Sequence, residues 1–229
     1  MSTVIELKDV SKTYPDGERR LAALNHVSLS ISAGTFTSVT GRSGSGKTTL
    51  LNLIGALDRP TAGKIYFEGE DLSALPDKEL SRLRRKRIGF IFQAYNLLEE
   101  YNVWDNICLP LYLDNAKPDT AYVEELLHTF GLWERRGASP SCLSGGQQQR
   151  VAVARALVTR PAVILADEPT GNLDYKTGLE VMGALKLSKE RFKQTVILVT
   201  HDMENAAMAQ RMLTLEDGKI AGDTGIKDG

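Results

Sequence analysis

Thr35-Phe36-Thr37-Ser38-Val39-Thr40 runs straight into Gly41-Arg42-Ser43-Gly44-Ser45-Gly46-Lys47-Thr48-Thr49, and behind it Leu50, Leu53, Ile54 and Leu57 recur at helical spacing. A strand, a glycine-rich turn and a helix, in that order, are the context in which G-x-x-x-x-G-K-[ST] acts as a phosphate-binding loop. The glycines let the backbone turn several N–H groups towards one point, and the following helix directs its positive end to the same place. A triphosphate fits such a nest. Gly41, Arg42, Ser43, Gly44, Ser45 and Gly46 form the cradle, Lys47 offsets charge on the β- and γ-phosphates, the Thr48 hydroxyl is the expected Mg²⁺ ligand and Thr49 adds a phosphate contact. A flexible Gly/Ser loop is the plain alternative, and the strand in front and the helix behind argue against it.

Further along, Val163 to Ala166 leads into Asp167-Glu168, and Thr195 to Thr200 forms a second apolar run. Near-continuous Val, Ile and Leu content suits central parallel strands covered on both faces. The early chain is β-rich instead, with Val4 to Val10, Val27 to Ile31 and Lys64 to Glu68 as short strands forming an antiparallel edge. Asp217-Gly218, between Leu213–Leu215 and Lys219–Ala221, is a type I′ hairpin signal. From about Glu99 to Arg160 the pattern is helical, with Val123, Leu126, Leu127 and Phe130 on one face, then Val151, Val153, Ala154 and Leu157 before Pro161. The expected fold is α/β: a P-loop NTPase core with a mainly parallel sheet, an antiparallel β subdomain and an α-helical subdomain. One domain is expected over residues 1–229, with the helical subdomain at about 94–158.

The 229 residues carry 28 basic and 29 acidic side chains, which disfavours general nucleic-acid binding. Cys108 and Cys142 make no disulfide framework, and neither has a metal-ligand spacing with His26, His128 or His201, so a reducing compartment fits. The N-terminus lacks the layout of a signal peptide, and no apolar run nears the roughly 20 residues of a membrane-crossing helix. If the protein serves a membrane, another chain does the crossing. The basic cluster Arg82, Arg84, Arg85, Lys86 and Arg87 reads as a solvated helix face, diluted by Asp77 and Glu79.

A phosphate loop alone does not separate kinases, GTPases, helicases and transport motors. Asp167, at the end of an apolar strand, is placed to hold Mg²⁺, and Glu168 to act as general base towards water. Leu143-Ser144-Gly145-Gly146-Gln147 opens a helix with Ser144 as cap and two glycines that leave backbone N–H groups uncovered, a second anion-binding helix start. This segment resembles the signature motif of the ABC ATPases. Gln93 in Phe90-Ile91-Phe92-Gln93 resembles their Q-loop, Asn172-Leu173-Asp174 their D-loop, His201 their switch histidine, and Tyr14 in Lys12-Thr13-Tyr14 the aromatic that stacks on adenine.

The resemblance implies that Gln93 senses Mg²⁺ and the attacking water, that His201 contacts the γ-phosphate, and that Asp174 belongs to the nucleotide site. It spans about Val4 to Ile220. Leu57-Asp58-Arg59-Pro60-Thr61, Gly89 to Gln93, Asn96-Leu97-Leu98 and Ala166 to Asp174 look most like the macrolide-export and lipoprotein-release ATPases (MacB, LolD) and the bacitracin-type peptide-resistance group. Arg42, Thr48 and Glu99-Glu100-Tyr101-Asn102 depart from the commoner pattern.

From that resemblance follow an ATP-hydrolysing subunit with ATP and Mg²⁺, a head-to-tail dimer with a second copy, and an integral membrane permease of the MacB/FtsX kind as partner, driving export or extraction of peptide, lipoprotein or drug-like substrates. The expected location is cytoplasmic, peripheral on the inner face of the membrane. An FtsE-like regulatory role in cell-wall remodelling stays open. A soluble non-transport ABC ATPase is less favoured because neither coiled-coil insertions nor a second cassette is present. No N-K-x-D segment supports a GTPase.

Overall fold

A computed structural model describes residues 2–16 and 19–226. The chain begins with two 14-residue strands, β1 (Thr3–Asp16) and β2 (Arg19–Ser32), followed by β3 (Phe36–Thr40) and helix α1 (Lys47–Ile54). Next come β4 (Ala62–Phe67), β5 (Glu70–Asp71), α2 (Asp77–Arg87) and β6 (Ile88–Ile91). Three helices succeed them, α3 (Val103–Tyr112), α4 (Thr120–Thr129) and α5 (Gly145–Leu157). The chain then runs through β7 (Val163–Asp167), α6 (Tyr175–Phe192), β8 (Thr195–Val199), α7 (Met203–Ala207), β9 (Arg211–Glu216) and β10 (Lys219–Asp223).

The strands form two sheets, a four-stranded antiparallel one ordered β2-β1-β4-β5 and a six-stranded one ordered β10-β9-β3-β8-β7-β6. In the larger sheet β6, β7, β8, β3 and β9 run parallel and only the β9–β10 hairpin is antiparallel. Asp217 and Gly218 at its turn both have positive φ, 45° and 73°, as a type I′ turn requires. The β-rich early chain forms the separate antiparallel sheet expected of it. Its long strands are broken by register shifts, one between Leu7 and Val10, where Asp9 takes φ 52°.

Alternate residues of the parallel strands face two cores. Val163, Leu165, Ile197 and Val199 pack with the antiparallel sheet and α1, whereas Ile164, Ala166, Val196 and Leu198 pack with α3, α4, α5 and α6. Covering both faces accounts for the unalternating composition of these strands, and each fully buried Val, Leu or Ile contributes about 1.5–3 kcal/mol. The face of α4 read from the sequence is the buried one: Val123, Leu126 and Leu127 are fully buried and Phe130 nearly so.

The basic segment is solvated as expected at Arg82, Lys86 and Arg87, which are exposed, but it is also tied to the rest of the fold. On α2, Leu80 and Leu83 are buried, and Arg84 Nη1 donates to the Ala56 carbonyl at 2.7 Å. Lys86 pairs with Asp114 at 2.6 Å, Arg85 approaches the same carboxylate at 3.6 Å, and Arg87 pairs with Glu68. The counter-charges come from positions far from the cluster in sequence, so its neighbours Asp77 and Glu79 are a poor guide to its setting.

Candidate nucleotide site

The register of the parallel sheet brings the predicted residues to one edge. Val39 pairs with Val199 and Val199 with Asp167, so the carboxyl ends of β3, β8 and β7 lie level, and Ile91 pairs with Ala166 on the far side. Gly41 to Gly46 leave β3 there, Glu168 follows β7, His201 follows β8 and Gln93 follows β6. Such a crevice outside the carboxyl ends of strands is where open α/β sheets bind ligands.

Gly46 is the left-handed N-cap of α1, with φ 102°, and a Cβ on it would stand 2.2 Å from the Ala23 carbonyl oxygen. Gly41 is similar: its Cβ would meet the Leu215 carbonyl oxygen at 2.2 Å. The loop is therefore wedged between β2 and β9, and only glycine fits at either position. No side chain caps α1 and no acid lies in its first turn, leaving its N-terminal N–H groups to an anion. Lys47 is buried at the helix start and its ammonium donates to the carbonyls of Gly41 (2.9 Å) and Arg42 (2.8 Å).

Tyr14, Ser43, Gly44, Gly46, Lys47, Thr48, Thr49, Asp167, Glu168 and His201 line one cavity together with Leu21, Ala22 and Ala23. Asp167 Oδ1 is buried without a hydrogen-bond partner. Burial raises this carboxyl's pKa and the nearby Glu168 charge adds to the rise, while the Thr48 hydroxyl and the Lys47 ammonium pull the other way. A buried, unsatisfied carboxylate oxygen beside a hydroxyl is a hard-oxygen donor set that fits Mg²⁺, which needs only one or two carboxylates when phosphates supply further ligands.

Glu168 adopts φ 45°, a left-handed conformation worth about 1–3 kcal/mol of strain for a residue with a side chain. It is held there by its own N–H donating to Val199 O (2.9 Å) and by Gly171 N–H donating to Glu168 O (3.0 Å). Its Oε1 accepts from the His201 N–H at 3.0 Å and lies 2.8 Å from His201 Nδ1, and its Oε2 accepts from the Thr200 hydroxyl at 3.3 Å. The His201 side chain is otherwise well exposed.

The remaining predicted residues gather in a second cluster that does not line this cavity. Gln93 Nε2 donates to Asn172 Oδ1 at 3.0 Å, and Asn172 Nδ2 returns a bond to Gln93 O at 3.2 Å. Ser144 caps α5 in a reciprocal capping box, its Oγ accepting from Gln147 N–H while its own N–H donates to Gln147 Oε1. Gly146 is buried, and a Cβ there would meet Thr177 at 2.2 Å; one at Gly145 would meet the Tyr95 hydroxyl at 2.7 Å. The two glycines thus also serve close packing, which their expected role of leaving N–H groups uncovered did not include. Asp174 caps α6 by accepting from Thr177 N–H and Oγ, and those bonds hold its pKa below the usual carboxylate range.

Sequence reasoning missed Asn172 as the partner of Gln93, and Asp58, whose carboxylate accepts the Tyr14 hydroxyl at 2.8 Å. It also missed Arg155 of α5, which donates to the carbonyls of Asn96 (2.6 Å) and Tyr95 (2.8 Å) beyond Gln93. The Leu57–Thr61 and Asn172–Asp174 motifs, quoted for their resemblance, contained Asp58 and Asn172 without pointing to these contacts.

The family model described as "ABC transporter" matches residues 24–171. The chain is 46% identical over 226 residues to the macrolide export ATP-binding/permease protein MacB 2 of Aeromonas hydrophila, covering 98% of this chain but 35% of that protein. It therefore spans about a third of the MacB relatives it matches. An uncharacterized ABC transporter ATP-binding protein of Thermotoga maritima is 45% identical, with 97% and 95% of the two chains covered. Among solved structures, the ATP-binding cassette MJ0796, described as a dimer in a post-hydrolysis state bound to ADP and Pi, superposes with a TM-score of 0.87 at 42% identity over 98% of this chain and 99% of that one. CbiO1 of Clostridium perfringens, part of the ABC transporter complex cbiONQ, reaches 0.87 at 26% identity, covering 97% and 88%. Family match, whole-length relatives and superposed cassettes agree with the phosphate loop and the strand-end carboxylates: the chain belongs to the ABC transporter family.

Proposed function

We propose that two copies of this chain, arranged head to tail, enclose two ATP molecules and drive a separate membrane permease of the MacB/FtsX kind. The observation that carries this is the separation of the two anion-binding helix starts. Ser144 to Gln147 do not line the cavity of Lys47 in their own chain, so an ATP held by both needs the segment of a second copy. The dimeric cassette MJ0796 bound to ADP and Pi supports the arrangement. The names of MacB, an ATP-binding/permease protein, and of the cbiONQ complex support a permease partner.

In this scheme the loop Gly41 to Gly46, Lys47, Thr48 and Thr49 bind the phosphate chain, and the Tyr14 ring stacks on adenine. Glu168 accepts a proton from water as the water oxygen attacks the γ-phosphorus and the bond to the β,γ-bridging oxygen breaks, giving ADP and phosphate. His201, fixed through Nδ1 by Glu168, offers Nε2 to a γ-phosphate oxygen. Thr48 and Asp167, with Gln93 as a further ligand, would hold Mg²⁺, which would neutralise charge on the β- and γ-phosphates. Gln93, Asn172 and Asp174 link the site to the dimer partner and to the helical subdomain at about 94–158 within a single domain over 1–229.

Ligand binding closes the dimer and hydrolysis reopens it. A groove lined by Leu57, Phe90, Phe92, Leu109, Pro110 and Leu113, with Leu57 and Leu113 exposed, gives the permease an apolar seat beside Gln93. No helix among the described residues is long and apolar enough to cross a membrane, which accords with a place on the inner, cytoplasmic face through the partner. The permease's cargo belongs to the peptide, lipoprotein or drug-like class of the MacB group.

The test is ATPase rate per chain against chain concentration, with and without membranes from which a partner co-purifies. A rate that rises with concentration and again with an integral membrane partner is expected. A concentration-independent rate would remove the composite site, and recovery with DNA or ribosomes alone would remove the permease.

A further inference from the structure

Tyr14 lines the nucleotide cavity at the end of β1, and two contacts fix its ring from behind. Its hydroxyl donates to Asp58 Oδ2 at 2.8 Å, while Asp58 Oδ1 accepts from Lys12 Nζ at 2.7 Å and from the Arg59 N–H at 2.7 Å. Lys12 Nζ donates further to the Arg59 carbonyl at 2.8 Å and stands 4.9 Å from the centroid of the Tyr14 ring. Asp58 therefore joins the phenol and the ammonium that flank one ring.

Asp58 also belongs to the phosphate side of the site. It follows α1, and the Leu57 N–H donates to the Asn52 carbonyl at 2.9 Å, so its segment is tied to the helix that starts at Lys47. Burial raises the Asp58 pKa, but the hydrogen bonds from Lys12 and Tyr14 outweigh it and hold the carboxyl below its ordinary value, so it is a charged acceptor at neutral pH. The remaining cavity wall near Tyr14, Leu21 to Ala23, offers apolar side chains.

We propose that Asp58 is the positioning residue of the base half of the site: it locks the Tyr14 ring at a fixed distance from the phosphate loop and seats Lys12 on one ring face, leaving the other face to a nucleobase. This rests on Tyr14 being the base-stacking surface. A side chain already immobilised spends no rotamer freedom when the base arrives, a saving of about 0.5–1.5 kcal/mol per side chain, or roughly 2- to 10-fold in affinity. The contribution is selective, acting on ligands that carry a base and not on the phosphate chain.

Calorimetric titration of the full chain with ATP and, separately, with inorganic tripolyphosphate, both with Mg²⁺, distinguishes these effects. Asp58→Asn is expected to weaken ATP by roughly 2- to 10-fold and leave tripolyphosphate unchanged, Tyr14→Phe to show a smaller loss of the same selectivity, and Tyr14→Ala a larger one. Asp58→Asn should add nothing once Tyr14 is Ala. Equal weakening of both ligands would make Asp58 a prop for α1 and overturn the proposal, as would no change in either or a further loss in the Tyr14→Ala background. ATP affinity unaffected by Tyr14→Ala would instead remove Tyr14 from the base site and the proposal with it. Melting temperatures check folding, and if Asp58→Asn does not fold, Lys12→Gln and Tyr14→Phe carry the same comparison.

Discussion

One oxygen of Glu168 is held twice by His201: Oε1 accepts the backbone N–H at 3.0 Å and faces Nδ1 of the ring at 2.8 Å. The carboxylate's direction thus depends on where β8 ends as much as on β7, because the histidine follows β8 and the glutamate β7. Glu168→Gln keeps the size of the side chain and removes the proton acceptor. It should retain ATP, lower turnover by about 10²-fold or more and accumulate a dimer on size-exclusion chromatography with ATP. Undiminished hydrolysis would remove Glu168 from the base role.

Asp167 gives a pH-dependent signature. Its folded pKa lies above the ordinary carboxylate value because of burial, so the folded state holds the proton to higher pH than the unfolded chain does. Without metal, the cost of ionisation is therefore absent below about pH 4, where both states are protonated, builds as pH rises from there, and is complete once pH exceeds the raised pKa. Asp167→Asn in EDTA should melt higher than the parent, by about 2–4 °C for each kcal/mol relieved, with a gap that opens above about pH 4 and levels off once pH passes the raised pKa. The same variant should lose Mg²⁺-dependent ATP binding.

Two glycines of the phosphate loop should respond differently to alanine. At Gly46 the new Cβ meets a carbonyl oxygen at 2.2 Å, whereas at Gly44, with φ 78°, nothing lies within 4 Å. Gly44→Ala should cost only the left-handed backbone penalty, about 1–2 kcal/mol in denaturant titration. Gly46→Ala should cost more and abolish ATP binding, because α1 must shift away from β2.

Asn106 is fully buried and secures the departure from the family pattern at Glu99 to Asn102. Its Oδ1 accepts from the Leu98 N–H at 2.8 Å, and its amide nitrogen lies within hydrogen-bond distance of the carbonyls of Leu98 (3.0 Å), Tyr101 (2.9 Å) and Asn102 (3.0 Å). Asn106→Ala should destabilise the chain by about 2–4 kcal/mol by stranding these backbone groups. Chemical denaturation measures it.

What the sequence revealed here was mostly what is local. The phosphate loop, the two apolar strands and the Asp217-Gly218 turn depend on neighbours a few residues away, and each was found at the residues named or within one position of them. Helix α6 went unread: Gly178 and Gly183 interrupt it, and its exposed Leu179 and Leu187 blur the apolar stripe. The separate antiparallel sheet was also legible, although the length of β1 and β2 was not, because the positive-φ residues Asp9 and His26 break their alternation. Contacts between distant positions, such as Gln93 with Asn172 and Tyr14 with Asp58, leave no periodic trace, because nothing in their own surroundings requires those partners.

The pairing of β3 with β8 and β9 carries a consequence for biosynthesis. Phe36 pairs with Val196 and Thr40 with Thr214, so the strand that launches the phosphate loop waits for partners made long after it. Until then its Val39 edge is unsatisfied and open to wrong pairing, a setting in which slow, non-local sheet formation exposes a nascent chain to aggregation. ATP can therefore capture the cassette only after Thr214 has left the ribosome, and chain truncations before Thr214 should yield insoluble product rather than a weakened enzyme.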